Sequence, residues 1–494
     1  MIIDEGLLLA RSKPGLRAVR LPALDVPPLP AGAIPGKLLR REPPKLPEVS
    51  EVDLARHYTR LSQKNFSVDT HFYPLGSCTM KYNPKINEEF VRDPVVRRAH
   101  PFQDESQIQP LLGMLHRTGR WLENLSGFPA VSLQPSAGAH GELTCLMVIR
   151  AWLRDHGGAD RTDVLIPDSA HGTNPATAAL CGLNAVEVPS DARGLVDLDR
   201  LRAAVGPKTA AMMVTNPNTL GLFEEHIVEI AKILHDAGAF LFMDGANFNA
   251  ILGRARPHDF GVDAMHMNLH KTFAVPHGGG GPGCGPVGVS SALAPYLPVP
   301  HVEEEGGIYR LVYDRPKSIG KVRGFFGSVG AILRSYCYLR ILGDEGIRRV
   351  SDHAVLNANY LRKLVGEVLH VPYDRACMHE FVATLDRLPN LPERPAMQAA
   401  KRLLDLGIHP PTTYFPLIVH ECWMIEPTET ESKEQMEGFA DAVRQIAREA
   451  AESPELLTSA PRNLPVTRLD EVRAAREPKL TWFSASQTVR PGGR

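Results

Sequence analysis

The chain has 494 residues, with 55 Lys and Arg against 56 Asp and Glu. A net charge of −1 leaves no basic footprint for nucleic acid and no cationic run for an anionic membrane surface. At about 100–200 residues per domain two or three domains are expected, and a chain of this length can bury a core without covalent staples.

The opening segment, MIIDEGLLLARSK, sets acids before a short apolar run. It therefore lacks the charged n-region and long apolar region of a secretory signal. No stretch approaches the roughly 20 apolar residues of a spanning helix. The seven cysteines are scattered, form no C-x-x-C pair, and read as free thiols in a reducing compartment, so a cytoplasmic enzyme is expected.

Nine prolines between Pro14 and Pro47 exclude regular helix and central strand. The apolar stretches LPALDVPPLP and AIPGKLL make plain disorder a poor description, and residues 1–60 read as an arm laid on a surface, such as that of a partner subunit; the alternative is a flexible tail. Residues 52–125 read as helical, interrupted by HFYPLGSCTMKYNPK. From residue 131 the pattern alternates. Short apolar runs at 131–133, 164–166, 185–188, 210–214, 240–243, 264–267 and 287–290 predict strands. Helical segments are expected over 139–153, from Asn174-Pro175, and over 197–205 and 227–237. Such alternation predicts an α/β fold with a mostly parallel sheet covered by helices. Residues 330–367 carry helical periodicity. The expected division is the arm, a large domain over 61–330 that includes the helical segment 61–125, and a smaller C-terminal α/β domain with a tail over 331–494.

In an open parallel sheet, ligands sit beyond the carboxyl ends of the strands. Four polar clusters fall there: Ser136-Ala137-Gly138, His171-Gly172-Thr173, Asp244 to Asn247, and His270-Lys271-Thr272; Thr215 ends a fifth strand. A lone lysine at such a place is ordinarily a solvated surface residue, and a lone aspartate can be a turn residue. Together, however, Lys271 and Asp244 offer an amine for the aldehyde of pyridoxal phosphate and an acid for its pyridinium nitrogen. The start of a helix at Ala137-Gly138 suits a phosphate, with Ser136 as a hydroxyl donor, or is a plain N-cap. His171 could lie on the pyridine ring or serve as a structural hydrogen-bonding residue.

The glycine-rich stretch HGGGGPGCGP satisfies G-x-G-x-x-G at Gly278, Gly280 and Gly283, but prolines follow and no helix or ribose-binding acid is placed correctly. No G-x-S-x-G elbow accompanies it, which disfavours a hydrolase. Its glycines read as a tight bend beside a cofactor. His266 and His270 are four apart near a strand end with no third ligand, so no metal site is expected.

The segments GVDAMHMNLHKTFAVPHGGGGPG, MDGANFNAILG, SAHGTNPATA and HFYPLGSCTMKYNPKINE, with HPPTTYFPLIV and MIEPTETESKE further on, resemble the glycine decarboxylase P-protein, in particular its C-terminal half, which many bacteria make as a separate subunit 2. The resemblance spans about residues 60–435. It implies a fold-type-I pyridoxal-phosphate enzyme of the glycine cleavage system, with Lys271 as the Schiff-base lysine, His171 stacked on the ring and Asp244 at the pyridinium nitrogen. It implies phosphate contacts at Ser136, Ala137 and Gly138, with Thr215 and His270 close to the cofactor. It further implies decarboxylation of glycine and transfer of the aminomethyl group to the lipoyl group of the H-protein. A single-chain P-protein has a homologous first half that this chain lacks, so a separate subunit 1 and an α2β2 assembly are expected. The alternatives are another fold-type-I enzyme (an aminotransferase or a cysteine desulfurase) and a non-catalytic scaffolding subunit. Arg315 and Arg323 are candidates for the glycine carboxylate, or plain surface ion-pairing residues. Cys78 is a redox-sensitive or simply a packed thiol.

Overall fold

The structure is a computed structural model that describes residues 5–278, 281, 283–390 and 393–481. These form two compact units, residues 68–460, and residues 5–67 with 461–481.

In the smaller unit, proline dictates the backbone. Residues 5–49 hold only two single-turn 3-10 helices, Leu8–Arg11 and Gly36–Leu38. Regular structure begins at α1 (Glu51–Gln63), where the Ser50 hydroxyl accepts the Asp53 amide and satisfies one free donor of the first turn. Glu5 pairs with Arg11, His57 and Arg60, tying the start of the described chain to that helix.

The larger unit opens with α2 (Ile86–Arg92), α3 (Pro94–Arg98) and α4 (Gln109–Ser126). The stretch 52–125 is less helical than expected. Residues 64–85 have no helix and 99–108 have one 3-10 turn, because Pro74, Pro84, Pro94, Pro101 and Pro110 confine helix to the gaps between them.

A regular alternation follows: β1 (Ala130–Ser132), α5 (Gly138–Asp155), β2 (Asp163–Pro167), α6 (Thr173–Leu180), β3 (Asn184–Val188), α7 (Leu198–Ala204), β4 (Thr209–Thr215), α8 (Ile227–Asp236), β5 (Phe240–Gly245), β6 (Ala264–Met267) and β7 (Val287–Val289). The sheet order is β1-β7-β6-β5-β4-β2-β3. The pairs β2–β3, β2–β4, β4–β5 and β5–β6 are parallel, and β7 runs against both its neighbours. Strands β4 and β5 are buried along nearly their whole length, as continuous apolar runs covered on both faces must be. Separate apolar cores form on the two faces, one including Met212, Leu241 and Met265, the other Met213, Phe242 and Ala264.

A hairpin of β8 (His301–Glu305) and β9 (Ile308–Val312) precedes the long α9 (Val329–Gly366), whose helical backbone is interrupted at Gly343. Beyond it β10 (Phe381–Thr384), α10 (Pro395–Asp405), β11 (Thr412–Thr413), β12 (Cys422–Ile425) and α11 (Lys433–Glu452) build a second, antiparallel sheet ordered β10-β12-β11. Its core holds Trp423, Phe381 and Phe439, all but fully buried. All seven cysteines are free.

Candidate functional site

Each parallel strand delivers its next residues to the same edge. His171 follows β2, Thr215 ends β4, Asp244 is the penultimate residue of β5, and His270 and Lys271 follow β6. The first residue of α5 is Gly138. These six residues line one cavity of about 150 Å³. Ser136 and Ala137 precede it. Ser136 Oγ lies 3.3 Å from His140 Nδ1, and Ala137 is the extended N-cap of α5. A Cβ at Gly138 would lie 2.5 Å from Asn268 Oδ1, so only glycine lets the helix start approach this wall. The bend expected over 277–286 is only partly visible, since residues 279, 280 and 282 lie outside the described residues. At Gly283 a Cβ would lie 2.8 Å from His270 Nδ1.

Further residues complete the wall, among them Asn247 and His266, which the sequence itself singles out, and Ser77 of the HFYPLGSCTMKYNPK segment; Glu142 alone of these has no sequence signal. Glu142, one turn into α5, accepts from Thr173 Oγ1 (3.0 Å), Asn174 Nδ2 (3.2 Å) and Thr177 Oγ1 (3.2 Å). His266 Nε2 stands 3.3 Å from Asp244 Oδ1, outside good hydrogen-bond geometry. Asn247 accepts the Lys271 ammonium at 3.2 Å. Ser77, from the long segment between α1 and α2, closes part of the cavity. A polar residue inside a helix is visible in sequence only if its period places it on the buried face, and Glu142 has no neighbouring turn chemistry to mark it.

Asp244 is 5 % exposed. Burial pushes its carboxyl up, but His266, Lys271, the Ala246 amide at 3.0 Å and His171 outweigh burial and hold it below the usual aspartate range. Asn174 Nδ2 adds a long donor at 3.4 Å. The site thus keeps a buried carboxylate ionised. The histidines go the other way. Burial first, then the Lys271 charge, pushes His270 down to about 3 and His277 to about 4, and lowers His171. All three are neutral at pH 7. Buried atoms on the cavity wall without a hydrogen-bond partner among the described residues include Thr215 Oγ1 and Asn268 Oδ1, as well as ring nitrogens of His266 and His270, and are available to a ligand.

Other candidates fall elsewhere. Arg315 lines a separate cavity with His301 and Phe326. Arg323 lies near enough to His140 and Cys284 to act on their titration, but is not among the residues lining the Lys271 cavity. Cys78 does approach Lys271, yet burial raises its thiol, which is the signature of a packed thiol and not of an activated one. Two buried groups of potential metal donors, Glu142 with Asp244 and His266, and His379 with Glu380 and Glu426, each bring their atoms within 4.8 Å of one another. No described helix is long and apolar enough to cross a membrane.

Comparison with known proteins adds an independent line. Residues 350–464 match the family described as glycine dehydrogenase, C-terminal domain, and residues 142–281 match aminotransferase class-V. A protein of Halalkalibacterium halodurans called probable glycine dehydrogenase (decarboxylating) subunit 2 is 54% identical over 485 residues, covering 98% of this chain and 99% of that one. One of the same description from Caldanaerobacter subterraneus is 52% identical over 482 residues, covering 97% and 98%. Among solved structures, an inhibitor-bound glycine decarboxylase (P-protein) of the glycine cleavage system superposes with a TM-score of 0.71 at 22% identity, covering 84% of this chain and 94% of that chain. The fold is the α/β, fold-type-I architecture expected from the strand–helix alternation and the resemblance together.

Proposed function

The chain belongs to the family of glycine dehydrogenase (decarboxylating) subunit 2, and from that premise we propose that its Lys271 cavity binds pyridoxal phosphate and removes the carboxylate of glycine, passing the aminomethyl group to the lipoyl group of an H-protein. The observation that carries this reading is the meeting of an amine, Lys271, and an ionised buried carboxylate, Asp244, on one cavity beside a helix N-terminus.

The residues present fit the cofactor. Unpartnered Thr215 Oγ1 and Asn268 Oδ1 await polar partners, and Gly138 leaves space where any side chain would strike Asn268. Lys271 would hold the aldehyde carbon and Asp244 the ring nitrogen. His171 would cover the ring face, and Ser136, Ala137 and Gly138 would meet the phosphate at the positive end of α5, with Thr215 and His270 close by. Bound there, pyridoxal phosphate supplies an electron sink for the pair left when the bond to CO2 breaks. The protein's own part is orientation and charge. Asp244, ionised despite burial, keeps a proton on whatever base faces it. Neutral His171, His270 and His277 leave the Lys271 amine without a competing cation among them. Ser77, from the segment before α2, would cover part of the bound group.

The name of the relatives supports a second chain, subunit 1, and the reading here is a cytoplasmic α2β2 assembly in which the proline-rich arm packs on a neighbour. The test is to combine the chain with its subunit 1, pyridoxal phosphate and lipoylated H-protein, and measure glycine-dependent bicarbonate exchange. Wild type is expected to exchange and Lys271→Ala to lose exchange entirely. Exchange surviving in the variant contradicts the reading.

A further inference from the structure

Close enough to Lys271 to feel its charge lie groups that the proposed reaction does not use. Strands β10 and β12 pair antiparallel with Phe381 opposite Ile425. The residue before one therefore faces the residue after the other, and both are glutamates, Glu380 and Glu426. Both are nearly fully buried, 2 % and 1 % exposed. Like charges directly opposite on a sheet repel, and in this interior the repulsion is poorly screened.

The donors are divided unequally between them. Glu426 accepts four hydrogen bonds: the Thr79 amide (2.9 Å), the Thr79 hydroxyl (2.6 Å), Asn247 Nδ2 (3.3 Å) and Asn249 Nδ2 (3.3 Å). Glu380 accepts the Ser77 amide at 2.6 Å on Oε2, and its Oε1 stands 3.5 Å from His379 Nε2. His379 is 1 % exposed, and neither of its ring nitrogens has a hydrogen-bond partner among the described residues. Burial, then Lys271, pushes that histidine down to about 3, so it is neutral and has a lone pair to offer. A carboxylate surrounded by four donors is stable ionised. A carboxyl with one donor and a neutral imidazole beside it is stable protonated, donating to the ring. The titratable groups facing the pair are Lys271, Cys78 and His379. Burial, with the neighbouring Glu426 charge, raises Glu380 well above the usual range, and burial raises Glu426 against the pull of Thr79 and Lys271.

The pair reaches the site by two routes. Asn247 donates to Glu426 and accepts from Lys271 at 3.2 Å, so it bridges carboxylate and amine. The amides of Ser77 and Thr79, which the two glutamates hold, belong to residues with φ of 60° and 50°. Side-chain residues seldom adopt that left-handed backbone unless their surroundings impose it.

We propose that Glu380 and Glu426 hold one proton between them, carried by Glu380, and that the remaining charge on Glu426 acts as a positioning device for the Lys271 amine through Asn247. The second half rests on Lys271 being the cofactor lysine; the first does not. A divalent ion is the wrong occupant, because the Glu426 oxygens are already committed to donors and Lys271 supplies the neighbouring positive charge.

Two measurements test this on the full chain. The first needs no cofactor: the protons released on unfolding between pH 6 and 8 are counted for wild type, Glu380→Gln and Glu426→Gln. Wild type and E426Q are expected to release about one proton more than E380Q. Equal release in all three, loss of the release in E426Q instead, or one divalent ion per chain by metal analysis overturns the proton assignment. The second follows the visible absorbance band of bound pyridoxal phosphate against pH. Removing a nearby negative charge is expected to move its midpoint down by about one pH unit or more in E426Q, and the midpoint is expected to stay at the wild-type value in E380Q. Should E426Q fail to fold, Asn247→Ala breaks the bridge and is expected to shift the midpoint the same way. An unmoved midpoint in both overturns the positioning role. A wild-type chain with no such band defeats the Lys271 assignment and, with it, the positioning role, while leaving the proton count standing.

Discussion

Lys81 gives the sharpest stability prediction. Its side chain is 1 % exposed, and its ammonium donates to Glu429 Oε1 (2.6 Å), to the Thr272 carbonyl (2.6 Å) and to the Tyr338 hydroxyl (3.2 Å). These three partners come from three distant parts of the chain, and Thr272 directly follows Lys271. Burial opposes the charge, but Glu429 and Tyr338 more than offset it and raise the lysine above its usual range. Replacing Lys81 by Met keeps the apolar stem and deletes the charge. Glu429, 7 % exposed and with no partner for Oε2 among the described residues, is then left as a buried carboxylate without its cation, keeping the Tyr338 hydroxyl at 3.4 Å. Removing one member of a buried pair costs about 3–5 kcal/mol. Replacing both, as Lys81→Met with Glu429→Leu, removes the desolvation penalty along with the attraction and is expected to return to within about 1–2 kcal/mol of wild type. Urea unfolding of wild type, K81M, Glu429→Leu and the double variant measures both quantities. If K81M alone costs less than about 1 kcal/mol, or the double variant is as unstable as the single, the buried pair does not hold this segment as described.

Three further outcomes are expected. Asp244→Asn keeps the shape of the site but loses its charge, and glycine-dependent exchange is expected to fall by about 10²-fold or more with bound cofactor still detectable; near-normal exchange would remove Asp244 from the site. Gly138→Ala places a methyl 2.5 Å from Asn268 Oδ1, and cofactor affinity is expected to weaken by about tenfold, a cost near 1.4 kcal/mol, read by titrating the apoprotein. Unchanged affinity means that the start of α5 is not in contact with the cofactor. Burial pushes Glu431 up to about 7 from 4.5. The native state therefore keeps a proton that the unfolded chain has released, and stability falls as pH rises between these values. Glu431→Gln is expected to flatten that slope in thermal melts taken from pH 5 to 8, and a slope identical to wild type contradicts the burial argument.

How much of this was legible in sequence follows from how each residue is signalled. Lys271, Asp244, Thr215 and His171 sit where an apolar run stops, and in a parallel sheet such stops share an edge, so reading strand ends amounted to reading the cavity. Gly138 was visible for a related reason, as a helix start after a strand. Glu142 lies inside a helix and leaves no such mark. Glu380 and Glu426 become neighbours only through the pairing of β10 with β12, and both approach Lys271 from more than a hundred residues away in sequence. No local pattern encodes that pairing. Arg315, a candidate for the glycine carboxylate or a plain surface ion-pairing residue, lines another cavity, because a positive charge in sequence carries no information about which cavity it faces. Residues 52–125 are less helical than expected because prolines outside the HFYPLGSCTMKYNPK interruption also break the helix.

The most direct measurement of the central assignment is chemical. The protein loaded with pyridoxal phosphate is reduced with borohydride, digested, and its peptides are mapped by mass. The pyridoxyl group is expected on Lys271 alone, with Lys81 unmodified. A label on another lysine, or no label on a chain that has bound the cofactor, would contradict the assignment of this cavity.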